Sequence, residues 1–428
     1  MRSLLRAVNK AVPQRSPLRL VWHHAKALAA ALLYRFPARN LTVISVTGTD
    51  GKTTTVGMVL RILQTAGFNA GALSTAFLQI RNEQEWNATQ KTSPSPFLIQ
   101  KFLRRLVRSG CTHAVLEVSS HGLVQGRVHY TWPLVAAVTN VTPEHLDYHG
   151  TLEQYRRDKG LLFSMVRSGG TKILNMDDES TKLYQQIPTT HTLTYGHDPQ
   201  ADLWISDRRS SLQGSESSLH CAGATLSLSL TIPGAFNLEN ACCAIACAHA
   251  VGIKTDLAVQ ALRTFSGVAG RMERIDEGQP FAVFVDFTVT PAAYEKTLTT
   301  LRTMLPQGKR ILVLTGSCGD RYREKRPIVG RLCSELADVV VVTNEDPYTE
   351  DPQKIIDEVF SGIDQSKTQA HKIFDRREAI AFLFAQAKPG DAVMLCAKGA
   401  DTTMWTNEGQ IPWNERAIAR ELLQTQKK

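Results

Sequence analysis

The segment LTVISVTGTDGKTTT, residues 41–55, decides the fold that we predict for this chain. Its first eight residues are mostly β-branched or apolar, which predicts a buried strand. After the glycine-rich turn, apolar residues recur from Val56 to Leu63 at the spacing of one helix face, and the helix should end near Gly67. A strand, a glycine-rich turn and a helix in this order are typical of a phosphate-binding loop.

The residues of this turn suit the binding of a nucleotide. Gly48 and Gly51 allow the backbone to curl so that its N–H groups face a phosphate. Lys52 would reach the β- and γ-phosphates, and Thr53 would ligate Mg²⁺. Such loops ordinarily have glycine where this chain has Val46, so a glycine-rich turn that binds no nucleotide is the alternative.

The rest of the chain predicts an α/β protein with a mainly parallel sheet, because β-branched runs alternate with helical patterns. The alternating run 226–232 predicts a half-exposed strand in an antiparallel addition, followed by a long helix at about 238–251. A second, Rossmann-like doubly wound domain should follow the first. Further strands are predicted at 113–118, 134–140, 281–287, 311–317, 337–344 and 391–399.

Length and composition agree with several globular domains. The 428 residues suffice for two or three domains, and 43% hydrophobic with 21% charged residues exclude a disordered chain. No apolar run reaches the ~18 uncharged residues that a membrane-spanning helix needs. The eight cysteines lack zinc-type spacing, which indicates a reduced, cytoplasmic protein. We predict a basic helical arm (1–38), a central ATP-binding domain (39–268) and a C-terminal domain (269–428).

The net charge of +9 is concentrated in the arm. Eight basic residues and no acidic residue occur among the first 40 positions, whereas the remaining 388 positions carry a net charge of +1. This distribution argues against nucleic acid as a partner. The arm is a helix packed on the body, a helix on a membrane surface, or an organellar transit peptide.

Polar residues follow six predicted strands, where ligands bind in open α/β sheets, so we expect a site between two domains. Glu117 is a candidate Mg²⁺ ligand or an edge carboxylate paired with a cation. His145 is a metal ligand, a helix cap or a core histidine. The charged residues around Lys159, taken alone, predict that it lies on a solvent-exposed helix face. Asp286 would bind ribose or cap a helix, and the basic segment 319–327 would bind an anion or lie in solvent.

Together these segments resemble the Mur ligases, ATP-dependent enzymes that form peptide bonds in peptidoglycan synthesis, and within them the MurE type. The resemblance covers about residues 41–428. It is carried by motifs in a fixed order: TGTDGKTTT (47–55), TSPSP (92–96), EVSSHGLVQGRV (117–128), TNVTPEHLDYHG (139–150), YRRDKGLLF (155–163), GAFNLENACCAIA (234–246), GRMERI (270–275), GDRYREKRP (319–327), TNEDPYTEDP (343–352), AKGAD (397–401) and IPWNER (411–416).

The resemblance implies a role for each matching residue. Lys52, His145 and Lys159 would be catalytic, and Lys159 would be carbamylated and bridge a second Mg²⁺. The ATP-binding residues would be Gly48, Thr49, Gly51, Lys52, Thr53, Thr54, Asn240 (adenine), Arg271 (phosphates) and Asp286 (ribose). The metal ligands would be Thr53, Glu117, His145 and Lys159. The muramoyl substrate would be held by Thr92, Ser93, Ser119, Gln125 and Arg127. The incoming amino acid would be received by Arg321, Glu345, Asp346, Tyr348 and Asp401.

The implied reaction adds an amino acid, expected to be a diamino acid, to UDP-N-acetylmuramoyl-L-alanyl-D-glutamate, with ATP and two Mg²⁺ ions. A carboxylate of the acceptor takes the γ-phosphate, and the amine then displaces phosphate. We expect a cytoplasmic monomer, with peripheral contact at the inner face of the plasma membrane as an option for the arm. The alternative functions are a related ligase acting on a lipid-linked or non-UDP acceptor and a ligase similar to folylpolyglutamate synthase.

The chain departs from the family pattern before the loop and at three later motifs. About 40 residues, eight of them basic, precede the first strand, where the MurE type has a uridine-binding domain. We therefore expect uridine recognition to differ: the acceptor lacks UDP, is lipid-linked and presented at a membrane, or binds with less help. Val289 and Ala400 stand where the family has histidines. Family members that use meso-diaminopimelate have a D-N-P-R motif, which reads EDPY here with Tyr348 in place of the arginine. This difference favours lysine or another diamino acid as the substrate.

Overall fold

The computed structural model describes residues 16–89 and 91–426, which form two compact units. The first unit contains residues up to Arg209 together with Glu216–Leu230 and Ala235–Phe265. The second unit contains Ser210–Ser215, Thr231–Gly234 and the chain from Ser266 onward.

The first unit is built around an 11-stranded sheet with helices packed on it. The strands are β1 (Thr42–Thr47), β2 (Ala70–Leu73), β3 (Phe77–Ile80), β4 (Glu83–Trp86), β5 (His113–Glu117), β6 (Val135–Val138), β7 (Thr171–Asn175), β8 (His191–Gly196), β9 (Leu203–Ser211), β10 (Gly214–Cys221) and β11 (Ala224–Leu230). The helices are α1 (Pro17–Leu33), α2 (Lys52–Thr65), α3 (Pro96–Arg108), α4 (Ser120–Val124), α5 (Leu146–His149), α6 (Leu152–Gly160), α7 (Thr181–Gln185), α8 (Ala235–His249) and α9 (Thr255–Leu262), with 3₁₀ turns at Pro37–Asn40 and Phe163–Met165.

The strand order is β11-β10-β9-β8-β7-β6-β1-β5-β2-β3-β4. Strand β1 lies between β5 and β6 and is parallel to both, and β5 is parallel to β2. Val46 pairs with Glu117, and Thr47 pairs with Val138. Since these four strands point the same way, their carboxyl ends deliver the segments that follow them to a single edge of the sheet.

Helix α1 lies within the segment expected to be a basic arm, and it packs on α3. Ala27, Ala30 and Ala31 are fully buried, because small side chains allow close approach. The guanidinium of Arg104 donates to the carbonyl oxygens of Tyr34 (2.9 and 2.6 Å) and Arg35 (3.1 Å), which caps the end of the helix. The predicted arm residues 1–15 lie outside the described part of the chain.

The second unit has a six-stranded sheet in the order β12-β13-β17-β14-β15-β16, parallel except for the β12–β13 pair. Helices α10 to α14 contact this sheet and cover an aliphatic core. Its strands are β12 (Glu273–Ile275), β13 (Ala282–Val285), β14 (Ile311–Thr315), β15 (Val339–Val342), β16 (Gln369–Lys372) and β17 (Ala392–Leu395). A separate hairpin consists of β18 (Thr403–Thr406) and β19 (Gly409–Pro412). Its helices are α10 (Pro291–Met304), α11 (Lys325–Leu336), α12 (Pro352–Phe360), α13 (Arg376–Gln386) and α14 (Glu415–Thr425).

The architecture confirms the predicted α/β class, with one large mainly parallel sheet and a second parallel-rich sheet. Within the described residues, no helix has the length and apolar character that crossing a bilayer requires.

Candidate active site

The phosphate-binding loop is held in a shape that only glycine permits at two positions. Gly48 and Gly51 have φ of +146° and +79°. A Cβ at Gly48 would lie 1.9 Å from Thr139 Oγ1, and one at Gly51 would lie 2.1 Å from Asn240 Oδ1. Both glycines are therefore required for conformation and for space. Asn240, expected at the adenine, lies against the start of α2, where its Oδ1 accepts a hydrogen bond from Thr55 Oγ1 (3.4 Å).

The segment after β6 supports the loop from one side. Thr49 N donates to the carbonyl oxygen of Asn140 (2.7 Å), and Asp50 N donates to its Oδ1 (3.0 Å). Thr139 Oγ1 donates to the carbonyl oxygen of Asp50 (2.6 Å). Lys52, the first residue of α2, donates from Nζ to the carbonyl oxygen of Thr49 (2.7 Å) and so folds back over the loop.

Glu117, the last residue of β5, is a buried carboxylate that receives three hydrogen bonds. Its Oε2 accepts from Thr53 Oγ1 (3.0 Å) and from Thr75 N (2.7 Å), and its Oε1 accepts from Thr75 Oγ1 (2.9 Å). The residue is 2% exposed, so it is not an edge carboxylate in solvent. Thr75 Oγ1 also lies 2.8 Å from Thr92 Oγ1, so this hydroxyl joins the loop to the first of the expected muramoyl-binding residues.

Lys159 lies inside the first unit and not on a solvated face. It is 1% exposed, and its Nζ donates to the carbonyl oxygen of Gly48 (2.6 Å) and lies 4.3 Å from the centre of the Tyr155 ring. Burial, and then the positive charge of Lys52, lower the pKa of Lys159 well below its ordinary value. Burial therefore favours the neutral form of this amine.

His145 is placed differently from Glu117. It occupies the N-cap position of α5 in a left-handed conformation (φ +54°), and its side chain makes no capping hydrogen bond in the described part of the chain. That side chain is 50% exposed, and its ring packs edge-on against His121. Across the described residues, no three His, Cys, Asp or Glu side chains converge as a metal-binding group. The structure thus joins Thr53 with Glu117 but does not bring His145 to them.

The other expected muramoyl-binding residues form one connected group. Arg127 Nη1 donates to the carbonyl oxygen of Ser93 (2.7 Å), and its Nε and Nη2 donate to Gln125 Oε1 (3.0 and 2.6 Å). Ser93 Oγ accepts from Ser119 N (3.0 Å), and Ser119 Oγ caps α4. Sequence patterns could not show these pairings, because the residues lie up to 34 positions apart.

In the second unit, Asp286 and Arg271 lie at one end of β13. Asp286 Oδ2 accepts from Met272 N (2.7 Å), and Thr288 Oγ1 donates to Oδ1. Burial raises the pKa of Asp286, against the opposing effect of Arg271. Asp286 is not a helix cap, because Thr290 caps α10.

The residues expected to receive the amino acid follow β14 (Arg321), β15 (Glu345, Asp346 and Tyr348) and β17 (Asp401). Lys398 is fully buried, and its Nζ donates to Asp346 Oδ1 (2.9 Å) and Asp401 Oδ2 (3.2 Å). Burial alone would lower the pKa of Lys398, but the Asp346 and Asp401 carboxylates raise it. Burial, and then Asp346, raise the pKa of Glu345.

Aromatic side chains lie beside these carboxylates. Tyr348 (φ +52°) stacks on Trp405 with 5.6 Å between ring centres, and the guanidinium of Arg321 lies 5.6 Å from the Tyr348 ring. Two residues stand where the resemblance led us to expect histidine: the carbonyl oxygen of Val289 accepts from Lys325 Nζ (3.1 Å), and Ala400 is buried.

Three residues that sequence reasoning missed support the loop: Thr75, Thr139 and Asn140. Thr75 follows β2, which is too short to stand out as a pattern. Thr139 and Asn140 belong to the quoted TNVTPEH motif, but nothing in a sequence shows which backbone atoms they contact.

A strand, a glycine-rich loop and a helix, with a strand-end carboxylate bonded to the loop threonine, are typical of P-loop proteins. Two family models match the chain: the Mur ligase middle domain at residues 46–248, and the Mur ligase glutamate ligase domain at residues 270–399. The chain belongs to the Mur ligase family, whose members are ATP-dependent ligases that form peptide bonds.

Similar proteins are MurE-type enzymes. The chain is 36% identical over 417 residues to a UDP-N-acetylmuramyl-tripeptide synthetase of Roseiflexus sp. (strain RS-1), with 93% of this chain and 82% of that relative covered. It is 38% identical over 397 residues to a UDP-N-acetylmuramoyl-L-alanyl-D-glutamate--2,6-diaminopimelate ligase of Thermosynechococcus vestitus (strain NIES-2133 / IAM M-273 / BP-1), with 92% and 79% covered. A solved structure of a ligase with the same name has a TM-score of 0.67 at 30% identity and covers 91% of this chain and 79% of that one.

Proposed function

We propose that the protein is a MurE-type ligase that adds an amino acid to UDP-N-acetylmuramoyl-L-alanyl-D-glutamate. The observation that carries this proposal is the continuous hydrogen-bonded path from Thr53 through Glu117 and Thr75 to Thr92. It places residues expected to bind ATP and Mg²⁺ next to one expected to bind the acceptor. Similarity to named tripeptide synthetases supports the same substrate.

The reaction proceeds in two steps. An oxygen of the acceptor's terminal carboxylate attacks the γ-phosphorus of ATP, the bond to the bridging oxygen breaks, and ADP leaves. The neutral amine of the amino acid then attacks the carbonyl carbon of the acyl phosphate, and inorganic phosphate leaves as the amide forms and the amine loses its proton. Lys52 and the loop N–H groups would hold the transferring phosphoryl group and offset its charge.

The residues present fit Mg²⁺. Glu117 is buried, and in the described part of the chain its bonded partners are neutral donors, so a divalent cation would compensate its charge. Thr53 and Glu117 would hold one ion, and Mg²⁺ would supply charge neutralisation at the phosphates. A neutral amine is the form that takes up CO₂, so the lowered pKa of Lys159 supports its carbamylation, and the carbamate would hold a second ion. We include His145 among the proposed metal ligands because of the family resemblance alone.

The amino acid is proposed to be a diamino acid whose second amine, and not a second carboxylate, enters the site. Glu345, Asp346 and Asp401 are buried carboxylates, and Lys398 is the buried cation bonded to two of them. The two aspartates outnumber the one lysine that is bonded to them, which favours an ammonium group over a carboxylate at this point of the site. Tyr348 offers no positive charge to a distal carboxylate.

We further propose that the protein works in the cytoplasm as a monomer and touches the membrane through α1. The outward face of α1 is apolar: Val21, Trp22 and Leu33 are 65%, 62% and 65% exposed. Arg19 and Lys26 flank this face, and the arm carries no acidic residue. This pattern suits a helix lying on an anionic lipid surface. We also propose the domain limits 39–268 and 269–428, supported by the division of the units at Phe265 and Ser266.

Lys52→Ala tests the phosphate role. The account predicts loss of ATP-dependent ligation, because no other side chain is proposed to reach the γ-phosphate from the loop. Lys182→Ala, at an exposed lysine of the same unit, is the matched control and should retain activity. Unchanged ligation by Lys52→Ala would remove this role.

A further inference from the structure

Three buried side chains that are not among the expected substrate contacts form a hydrogen-bonded row in the first unit. Ser120 Oγ lies 3.0 Å from His149 Nε2, and His149 Nδ1 lies 2.5 Å from Asp158 Oδ2. Gln154 Nε2 donates to the other carboxylate oxygen of Asp158 (2.9 Å). The three side chains of the row are at most 4% exposed. We call Asp158, His149 and Ser120 the buried relay.

The chemistry of the three groups fixes the direction of these bonds. An ionised carboxylate only accepts hydrogen bonds, so the proton between His149 and Asp158 is on Nδ1. In this tautomer of the neutral imidazole, Nε2 accepts the hydroxyl proton of Ser120. The carboxylate therefore orients the imidazole, and the imidazole orients the hydroxyl. The same order of groups activates a serine for attack in hydrolases, but Ser120 is buried, so the relay here serves to hold a position.

The relay connects two segments that carry expected site residues. Ser120 is the first residue of α4 and directly follows Ser119, which is expected to hold the muramoyl substrate. Asp158 lies in α6 and directly precedes Lys159, whose Nζ donates to the carbonyl oxygen of Gly48 (2.6 Å). One end of the relay is therefore next to the expected acceptor site, and the other end is next to the residue that contacts the phosphate-binding loop.

Tyr155 of α6 ties the relay to the loop a second time. Its phenol is hydrogen-bonded to the hydroxyls of Ser120 and Thr49, the latter at 3.3 Å. Its ring packs against the His149 ring with 4.8 Å between centres. Burial raises the pKa of Tyr155, so the phenol keeps its proton. Ser120 is thus held from two sides, by His149 and by Tyr155.

The elements that carry Ser120 and His149 are too short to hold their own position. Helix α4 has five residues and α5 has four, whereas isolated helices shorter than ~12 residues are marginal in water. Contacts with the rest of the unit must therefore fix both elements, and each of them contacts α6. The relay supplies directional contacts of this kind.

We propose that Asp158 and His149 are positioning residues of the ligation reaction. Through Ser120, they fix the start of α4, and with it the bound acceptor, relative to α6. The proposal rests on the proposed function for the acceptor and for the reaction. Breaking the relay should displace the acceptor carboxylate from the γ-phosphate of ATP. Binding of ATP should persist, because Thr139 and Asn140 hold the phosphate-binding loop independently of the relay.

Steady-state kinetics with UDP-N-acetylmuramoyl-L-alanyl-D-glutamate test the proposal. Asp158→Ala should raise the KM for this acceptor about tenfold, the value of one lost hydrogen bond, and should lower kcat. The affinity for ATP, measured by calorimetry, should stay as in the wild type. Asp158→Asn should restore most of the loss, because an amide oxygen can accept from His149 Nδ1. Glu153→Ala, at an exposed carboxylate of the same helix, is the matched control and should behave as wild type.

A double variant separates positioning from a general loss of stability. Because Asp158 acts on the hydroxyl only through His149, Ser120→Ala should lose at least as much, and adding Asp158→Ala to it should cost nothing further. Losses that multiply in the double variant would overturn the proposal. A loss of ATP affinity as large as the rise in acceptor KM would overturn it as well.

Proton NMR tests the relay separately from the ligation reaction. If the wild type ligates no amino acid to this acceptor, the proposed function fails, and the relay is then judged by its imidazole N–H proton. An imidazole N–H bonded to a carboxylate gives a signal far downfield. The account predicts that this signal is lost in Asp158→Ala and shifted in Ser120→Ala, and a signal that stays the same in either variant refutes the relay.

Discussion

Replacing Glu117 by glutamine separates the charge of this residue from its hydrogen bonds. In Glu117→Gln, the amide oxygen can keep the bonds from Thr53 Oγ1 and Thr75 N, which both reach Oε2 at 3.0 and 2.7 Å. The new NH₂ group would face Thr75 Oγ1, and a hydroxyl can turn to accept. The shape and the hydrogen bonds therefore survive, and only the negative charge is lost.

The expected result is an enzyme that folds normally but turns over poorly. The free energy of unfolding should change by less than about 1 kcal/mol, because no buried donor is left unpaired. Glu117→Ala, by contrast, leaves the Thr75 N–H unpaired and should cost about 1–3 kcal/mol. Loss of the Mg²⁺ ligand should lower the rate at least about 100-fold, equivalent to ~2.7 kcal/mol of transition-state stabilisation.

The assay is phosphate release from ATP at saturating substrates, titrated with Mg²⁺, beside urea unfolding of the same preparations. Glu83→Gln, at an exposed carboxylate of β4, is the matched control and should behave as wild type in both. A Glu117→Gln enzyme with wild-type turnover and wild-type Mg²⁺ dependence would refute the assignment of Glu117 as a metal ligand.

Two further predictions concern Lys159 and α1. Enzyme freed of CO₂ should lose activity and regain it with bicarbonate, because the neutral Lys159 amine forms the carbamate. The variant Lys159→Gln should be inactive with or without bicarbonate. Wild-type activity that does not depend on bicarbonate would contradict carbamylation. The double variant Val21→Ser/Trp22→Ser should sediment less with anionic vesicles than the wild type, since it removes exposed apolar area from α1, while neither protein should sediment with zwitterionic vesicles at high salt. Equal sedimentation of both proteins with anionic vesicles would exclude α1 as the membrane contact.

The strand, loop and helix at residues 41–65 were predictable because local patterns determine them. β-Branched residues favour the strand, Gly48 and Gly51 supply the positive φ angles, and the helix follows with one apolar face. Four of the six strands of the second sheet were equally readable, since they are continuous hydrophobic runs, whereas β12 (ERI) and β16 (QAHK) lack such a run and were missed.

The burial of Lys159 was not predictable from its neighbours in sequence. The residues around it are charged, but the turn of α6 directs Lys159 toward Gly48, 111 positions earlier. Thr75 was missed for a related reason: its importance lies in contacts with Glu117 and Thr92, which only the pairing of β2 with β5 creates. Non-local contacts of this kind depend on sheet order, which no local pattern encodes.

The basic composition of the N-terminal arm gave no sign of the apolar outer face of α1. The sequence showed a basic arm, yet the structure buries its alanines against α3 and leaves Val21, Trp22 and Leu33 exposed. An ordinary amphipathic helix buries its apolar face, whereas α1 packs through its alanines and leaves larger apolar residues exposed. Which face is packed is shown by the structure and not by the sequence.

The most direct test of the account is the ligation reaction itself. Phosphate release from ATP should be measured with UDP-N-acetylmuramoyl-L-alanyl-D-glutamate and, separately, lysine, ornithine and meso-diaminopimelate, with the product masses. The account predicts phosphate release coupled to a mass gain of one amino acid residue, with lysine or ornithine preferred over meso-diaminopimelate. No product with any of the three, from protein that still binds ATP, would contradict it.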